Sequence, residues 1–205
     1  HTARRGAAAV AACGILQVCG GHDGMSSVAV VEGYLPDSRT WQPLPSMPTA
    51  RRDCCAAVQC GHTFVFGGHD GGKHVPTAEC FHPNAGRWER LPPMPTARHG
   101  CAAAAINKAL YVVGGSDGWS YLATAERFEP ADAAWSTLPC MPRPRRNCAA
   151  VATATALYVF GGHDGTKSLS VVEQLNPLTN TWEAASLMAP LSTGLNFWAA
   201  AAVWS

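Results

Sequence analysis

The chain has 205 residues, a formal net charge of +1 and an apolar fraction of 47%. This composition can form a hydrophobic core and excludes a largely disordered chain. The near-neutral charge argues against a general nucleic-acid binder, which is normally strongly basic, and no apolar run is long enough to cross a membrane. Because the first residue is His1 rather than Met, we expect a fragment of a longer protein.

The predicted elements are short β-strands throughout. The first four cover residues 6–13, 15–19, 28–34 and 40–44. The next four cover residues 54–60, 63–66, 75–82 and 87–91. Their runs of small, β-branched and aromatic residues are separated by Gly-, Asp- and Pro-rich turns, which favours strands. Equivalent second strands are predicted at 110–113 and 157–160.

A 47-residue repeat accounts for this order of elements. An arginine, a Gly-Gly pair, a glutamate, a proline, a tryptophan and a methionine each recur four times at that spacing, with no insertion or deletion. This period, without any 3.6-residue periodicity, predicts four-stranded propeller blades rather than helical repeats. The glycines and tryptophans that we interpret as structural are Gly20, Gly21, Gly67, Gly68, Gly114, Gly115, Gly161, Gly162, Trp41, Trp88, Trp135 and Trp182.

Four antiparallel blades are predicted within one domain of residues 1–205. Their approximate ranges are 4–50, 51–97, 98–144 and 145–191. Residues 194–205 align with the inner strand of a fifth repeat, so a partial blade is predicted at about 192–205. We therefore expect an all-β, open or partial propeller. A closed ring of four blades is the alternative, since propellers have about four to eight blades.

These motifs resemble the kelch repeat. The pattern runs from an arginine through an apolar strand and Gly-Gly to Glu-x-Tyr/Phe-x-Pro and Trp-x-x-Leu-Pro-x-Met-Pro, and YVVGGSDG and YVFGGHDG are close to the kelch consensus. The resemblance covers essentially the whole chain and is closest to the Kelch-like (BTB–Kelch) family. It implies a propeller, usually of six blades, that recognises degron peptides for a cullin-type E3 ubiquitin ligase. The BTB and BACK domains of such adaptors are not in this chain.

Antiparallel connectivity places two sets of segments on one face of the propeller. The loops after the Gly-Gly pairs must lie beside the segments that open the inner strands, because strand direction alternates within a blade. This face, called the mouth face below, contains ten of the fifteen Lys and Arg residues against five Asp, an excess of about five positive charges. Such a surface favours acidic ligands, and arginine forks suit carboxylates.

The predicted partner-binding residues lie on the mouth face, which by resemblance is where Kelch-like proteins bind client peptides. They are Arg5, Arg52, Arg98, His99, Arg145, Arg146, Trp119, Tyr121, His22, His69 and His163. Arg98 and Arg145 belong to the perfectly repeated arginines, for which a structural role is an equal alternative. Trp119 and Tyr121 break the repeat and are hot-spot residue types. The alternative is that their loop folds back over the third blade.

Metal and disulfide chemistry are not favoured by the sequence. The nine cysteines form no Cys-x-x-Cys pair or zinc-like spacing with histidine, and three loop histidines would have to converge from different blades to hold an ion. We therefore predict no cofactor. Reduced, mostly buried thiols favour a cytoplasmic or nuclear protein, and an extracellular disulfide framework is the alternative.

Catalytic motifs of the Gly-x-Ser-x-Gly, P-loop and Rossmann types are missing from the sequence. We therefore predict a protein-binding module and not an enzyme, with no nucleic-acid or membrane partner. The favoured function is capture of an acidic peptide as the substrate-recognition propeller of a ubiquitin-ligase adaptor. The alternatives are an actin-associated or scaffold kelch protein and, less favoured, a kelch-fold enzyme.

Overall fold

The computed structural model describes residues 3–184, in which every regular element is a β-strand. Sixteen strands form four sheets of four, and the strands of each sheet pair antiparallel in chain order. The prediction of an all-β fold built from four-stranded antiparallel blades is therefore confirmed. The predicted partial blade at 192–205 lies outside the described residues. Residues 3–184 contain no helix that is long and apolar enough to cross a membrane.

Each blade consists of four consecutive strands. Blade 1 contains β1 Ala8–Ala12, β2 Ile15–Cys19, β3 Val31–Leu35 and β4 Thr40–Leu44. Blade 2 contains β5 Cys55–Gln59, β6 His62–Phe66, β7 Ala78–His82 and β8 Arg87–Leu91. Blade 3 contains β9 Ala102–Ile106, β10 Ala109–Val113, β11 Ala125–Glu129 and β12 Ala134–Leu138. Blade 4 contains β13 Ala149–Ala152, β14 Leu157–Phe160, β15 Val172–Asn176 and β16 Thr181–Ala184.

Two-residue turns connect the inner and second strands of the first three blades. Both turn residues have positive φ, with values between 49° and 77°. Positive φ at both positions is the type I′ geometry, whose twist matches that of the flanking strands. The turns are Cys13-Gly14, Cys60-Gly61 and Asn107-Lys108. The chain therefore reverses tightly, and the inner and second strands pair along their whole length.

The third strands begin three residues later than predicted. The predicted ranges 28–34 and 75–82 are wrong at their first residues, since the strands start at Val31 and Ala78. In blade 1 the preceding carbonyls are used elsewhere: Met47 N donates to Ala29 O at 2.9 Å, and Arg51 N donates to Val28 O at 3.1 Å. These residues therefore bind the connection to the next blade instead of extending the sheet.

Neighbouring blades pack through their inner strands, which contact one another in the order β1, β5, β9 and β13. The outer strands add a second junction. Trp88 Nε1 donates to the carbonyl of Pro45 in the preceding blade at 2.7 Å, and Trp135 and Trp182 make the same bond at 2.9 and 2.8 Å. The repeated tryptophan thus joins the outer edge of one blade to the segment that follows the previous blade.

Backbone hydrogen bonds also link the blades around the propeller axis. Asp53 N donates to Gly6 O at 2.7 Å, Gly100 N to Asp53 O at 2.7 Å, and Asn147 N to Gly100 O at 2.8 Å. Within residues 3–184 no such bond returns from Asn147 to Gly6. The described blades therefore form an arc around the axis, as expected for a partial propeller.

Candidate functional site

The loops of the mouth face share one turn, which is held by an aspartate. Asp23 Oδ1 accepts the backbone N–H groups two and three residues later, both at 2.8 Å. Asp70, Asp117 and Asp164 accept the corresponding pairs. These backbone donors lower the pKa of the first three carboxyls below the ordinary range. The carboxylates therefore stay ionised at neutral pH and are committed to their own turns.

Short backbone bridges bring the opening of each inner strand against the loop that follows Gly-Gly. Arg52 N donates to His69 O at 3.1 Å, and His69 N donates back to Arg52 O at 2.9 Å. Equivalent bridges in the other blades join Arg5 to His22, His99 to Ser116 and Arg146 to His163. The structure thus places the predicted loop and strand-opening residues side by side on the mouth face.

Two of the predicted partner-binding arginines are buried inside the blades. Arg98 and Arg145 have no exposed surface. Arg98 forms a two-point ion pair with Glu126, at 2.9 and 3.2 Å, and also donates to Gly114 O at 2.9 Å. Arg145 pairs in the same way with Glu173, at 3.0 and 3.1 Å. Including Arg98 and Arg145 in the partner-binding set was therefore wrong, because each ties together strands of its own blade.

The same ion pairs correct the predicted charge of the mouth face. The repeated arginines at the strand openings pair with Glu32, Glu79, Glu126 and Glu173. Adding these four glutamates to the five aspartates gives nine acidic residues against ten basic ones. The excess is then one positive charge instead of about five. Positive potential is therefore local, and it is concentrated at the arginines outside the ion pairs.

In blades 1, 2 and 4 the residue after the repeated arginine is a second arginine, which is not fully buried. Arg5 is exposed on blade 1. The Arg52 side chain is 30% exposed; its Nη1 donates to Ser27 Oγ at 3.3 Å, and its Nε lies 3.9 Å from Asp53. Arg146 is half-buried, and its Nε is a buried atom with no acceptor among residues 3–184. Arg5 is therefore exposed to a ligand, and Arg52 and Arg146 are exposed in part.

The two aromatic residues of the third-blade loop differ in exposure. Trp119 projects into solvent and is 96% exposed. Tyr121 is half-buried and packs edge-on against His163 of blade 4, with ring centroids 5.8 Å apart. The Arg146 guanidinium lies 5.9 Å from the Tyr121 ring centroid, within the range of a cation–π contact. Tyr121 therefore positions Arg146, while Trp119 is free to contact a partner.

A stack of three histidines crosses from blade 2 to blade 3. His69 and His74 meet edge to face with centroids 4.8 Å apart, and His74 stacks on His99 at 4.1 Å. The predicted set contains His69 and His99 but not His74. The sequence contains a clue to His74, because it occupies the same repeat position as Tyr121. In the structure His74 forms a backbone bridge with His69, the first residue of the loop. Within residues 3–184 no three His, Cys, Asp or Glu side chains could hold a metal ion.

Burial keeps His99, at one end of the stack, uncharged at neutral pH. His99 is only 7% exposed, and burial together with the Arg146 charge lowers the pKa of His99 to about 4. Burial and the neighbouring Arg52 lower the pKa of His69 as well. His69 Nδ1 accepts the N–H of Gly71 at 3.0 Å, so the proton of the neutral ring lies on Nε2. His22 and His163 make the same bond.

Acidification is expected to destabilise the domain through His99. Its pKa in the folded state is about 4, below the ordinary value of 6.5, so the unfolded chain binds the proton more readily between these values. The free energy of unfolding should therefore fall as the pH is lowered through this window, by up to about 3 kcal/mol. Urea unfolding at a series of pH values would measure it.

The comparison for this test is the His99→Asn variant. Carboxyl groups also titrate in the lower part of the window, so the difference between wild type and His99→Asn isolates the contribution of the imidazole. The variant should lose stability less steeply than wild type between pH 6.5 and 4.5. Identical pH profiles for the two proteins would show that burial of neutral His99 has no such effect.

Protein-family models match nearly the whole chain. The KLHDC2/KLHL20/DRC7 Kelch-repeats domain matches residues 1–144, and the Kelch motif matches residues 144–188. The chain belongs to the Kelch-repeat family. A comparison with curated proteins finds no significant match.

Kelch repeats indicate a protein–protein interaction module, and Kelch domains are typically non-enzymatic. In this Kelch domain the repeated Gly-Gly pairs and Arg–Glu pairs build the blades. The position that follows each repeated arginine varies instead, because Arg5, Arg52 and Arg146 alternate with His99 in blade 3. Arg5, Arg52 and Arg146 are at least partly exposed, whereas His99 is buried, so the surface at this position differs between blade 3 and the other blades.

Proposed function

We propose that this Kelch domain captures an acidic peptide of a partner protein on the mouth face. The observation that carries the proposal is the pair Arg52 and Arg146, whose guanidinium groups stay outside the buried ion pairs. Arg52 bridges to His69 at one end of the histidine stack, and Arg146 is close enough to His99 at the other end to lower its pKa. Carboxylates bound there would accept charge-assisted hydrogen bonds from both.

Two further features support a peptide over a small free anion. Trp119 and Met25 are 96% and 93% exposed at loop tips on the same face. Aromatic residues and Met are enriched at protein interfaces, where they supply apolar contact area beside charged groups. An extended peptide could therefore place acidic side chains over the arginines and apolar side chains against Trp119.

The wider role that we propose is substrate recognition in a cullin-type E3 ubiquitin ligase adaptor. It rests on the resemblance of the repeats to Kelch-like proteins and on the accessible arginines of the mouth face. In such an adaptor, BTB and BACK domains beyond this chain would join the propeller to the cullin. The acidic peptide would then be the degron of a client protein.

Removing both accessible arginines is expected to weaken peptide binding. Random-peptide phage display on the wild-type domain should enrich Asp- and Glu-containing sequences, and calorimetry then gives the affinity of one selected peptide. Each interface arginine is expected to contribute about 10-fold in Kd, so Arg52→Ala with Arg146→Ala should lower affinity by about 100-fold. The salt dependence of binding should also decrease, because fewer charges are paired.

The control variant removes two arginines outside the mouth face. Arg87 and Arg90 are exposed on outer strand β8, so Arg87→Ala with Arg90→Ala should bind the peptide like wild type. Thermal unfolding should be similar for both double variants. Enrichment of neutral or basic peptides would refute the acidic-peptide proposal. Unchanged affinity after loss of Arg52 and Arg146 would place binding elsewhere and favour a scaffold-type Kelch protein.

A further inference from the structure

The inner strands place a group of thiols around the propeller axis, away from the proposed peptide site. Cys54, Cys55, Cys101 and Cys148 line a small axial cleft of about 50 Å³ that is partly open to solvent. All nine cysteines of the chain are free thiols. The blade frame does not require sulfur at these positions, because blade 1 has Ala7 where blades 2, 3 and 4 have cysteine.

One pair of these thiols is in direct contact. Cys55 Sγ lies 2.9 Å from Cys101 Sγ, whereas a disulfide bond is about 2.05 Å long. Cys55 is the first residue of β5, and Cys101 directly precedes β9, so the contact crosses from blade 2 to blade 3. The two positions are 46 residues apart and therefore not repeat equivalents. The other three blades have alanine at the position of Cys55, so among the described residues two thiols face each other only at this junction.

The surroundings of the two sulfurs make Cys101 the more acidic thiol and Cys55 the less acidic one. The hydrogen bond from the Cys55 thiol lowers the pKa of Cys101, and the Arg98 guanidinium acts in the same direction. Burial raises the pKa of Cys55. Because the thiolate is the reactive form, Cys101 is the sulfur that reacts first with an oxidant. Cys55 is then in contact with the oxidised sulfur.

We propose that Cys55 and Cys101 form a reversible disulfide between blades 2 and 3 when the protein meets hydrogen peroxide. The Cys101 thiolate attacks one peroxide oxygen, the O–O bond breaks, and hydroxide leaves while Cys101 becomes a sulfenic acid. The Cys55 sulfur then attacks the Cys101 sulfur, the S–O bond breaks, and the oxygen leaves as water with the Cys55 proton. In total two thiols are oxidised and one peroxide is reduced to two waters.

The disulfide would join two segments that also carry mouth-face residues. Cys55 lies three residues after Arg52, and Cys101 lies two residues after His99. A covalent link there fixes the spacing of blades 2 and 3 and closes a loop of more than 40 residues in the unfolded chain. Oxidation should therefore raise the thermal unfolding midpoint by about 5–10 °C.

The test is peptide mapping of the purified domain after treatment with hydrogen peroxide. Cys54 and Cys55 are adjacent, so the map is made in a Cys54→Ser background to assign the bond. The expected result is a Cys55–Cys101 cross-linked peptide that has lost two hydrogen atoms and is restored by dithiothreitol. The matched control is Cys148→Ser, which removes another buried axial thiol and should leave the cross-link intact.

Two further variants separate the roles of the thiols. Cys55→Ser should leave Cys101 as a sulfenic acid that reacts with dimedone, whereas Cys101→Ser should leave Cys55 unoxidised. If either variant fails to fold, differential alkylation of the wild-type protein reports the same two thiols directly. The proposal is overturned if peroxide oxidises exposed Cys13, Cys60 or Cys140 while Cys55 and Cys101 stay reduced. Cross-links between other pairs of thiols would overturn it as well.

Discussion

Replacing Arg98 with alanine is expected to lower the free energy of unfolding by about 3–5 kcal/mol. The substitution leaves the Glu126 carboxylate, which is 1% exposed, without its counter-charge inside blade 3. It also removes the Arg98 donor of the Gly114 carbonyl, at 2.9 Å, and one of the two donors of the Thr124 carbonyl, which keeps the N–H of Gly114 at 3.1 Å. Urea unfolding followed by tryptophan fluorescence would measure the loss.

The matched control for Arg98→Ala is Arg127→Ala in the same blade. Arg127 pairs with Glu129 at the surface, where both side chains are about one-third exposed, so its loss should cost no more than about 1 kcal/mol. A partner-binding arginine without a structural role would leave the unfolding curve unchanged when replaced. If Arg98→Ala behaves like Arg127→Ala, the buried ion pair does not hold the blade together.

A Gly67→Ala substitution is expected to cost about 3 kcal/mol or more, because two effects combine. Gly67 has φ of +63°, which is unfavourable for alanine. A Cβ added there would also lie 2.3 Å from the backbone oxygen of Arg98 in the next blade, which cannot move without shifting the blade junction. Chemical unfolding of the purified variant would give the change in stability.

Gly86 allows the two effects to be separated. Its φ of +61° is nearly the same as that of Gly67, but nothing lies within 4 Å of an added Cβ. Gly86→Ala therefore reports the backbone strain alone, about 1–2 kcal/mol. The excess cost of Gly67→Ala over Gly86→Ala measures the close approach between blades 2 and 3. Equal costs for the two variants would contradict the role assigned to this contact.

The repeat predicted the fold because its recurring residues make equivalent contacts in successive blades. The 47-residue register, the Gly-Gly pairs and the outer tryptophans were sufficient for four antiparallel blades. The predicted starts of the third strands were wrong. Val28 and Ala29 have side chains typical of a strand, but their carbonyls accept hydrogen bonds from the segment that connects to the next blade. Apolar sequence alone does not distinguish these two uses of an extended backbone.

The candidate site was harder to predict, because it depends on side-chain contacts between distant positions. The repeated glutamate that neutralises Arg98 follows it by 28 residues and sits on a third strand, so a count of loop charges missed it. His99 is likewise buried against a residue of another blade, and Cys55 contacts Cys101 of the next blade. Cys55 stands where the other blades have alanine, which is visible in the sequence, but the sequence does not show that its thiol meets Cys101.

The repeated bonds at the junctions between blades affect how the number of blades can change in evolution. Each junction uses the same donors and acceptors: an indole N–H to a proline carbonyl at the rim, and backbone N–H to carbonyl at the axis. An in-frame duplication of 47 codons would therefore encode a new blade whose bonding partners already exist on both neighbours. Duplication or deletion of one repeat can therefore add or remove a whole blade without requiring a new interface.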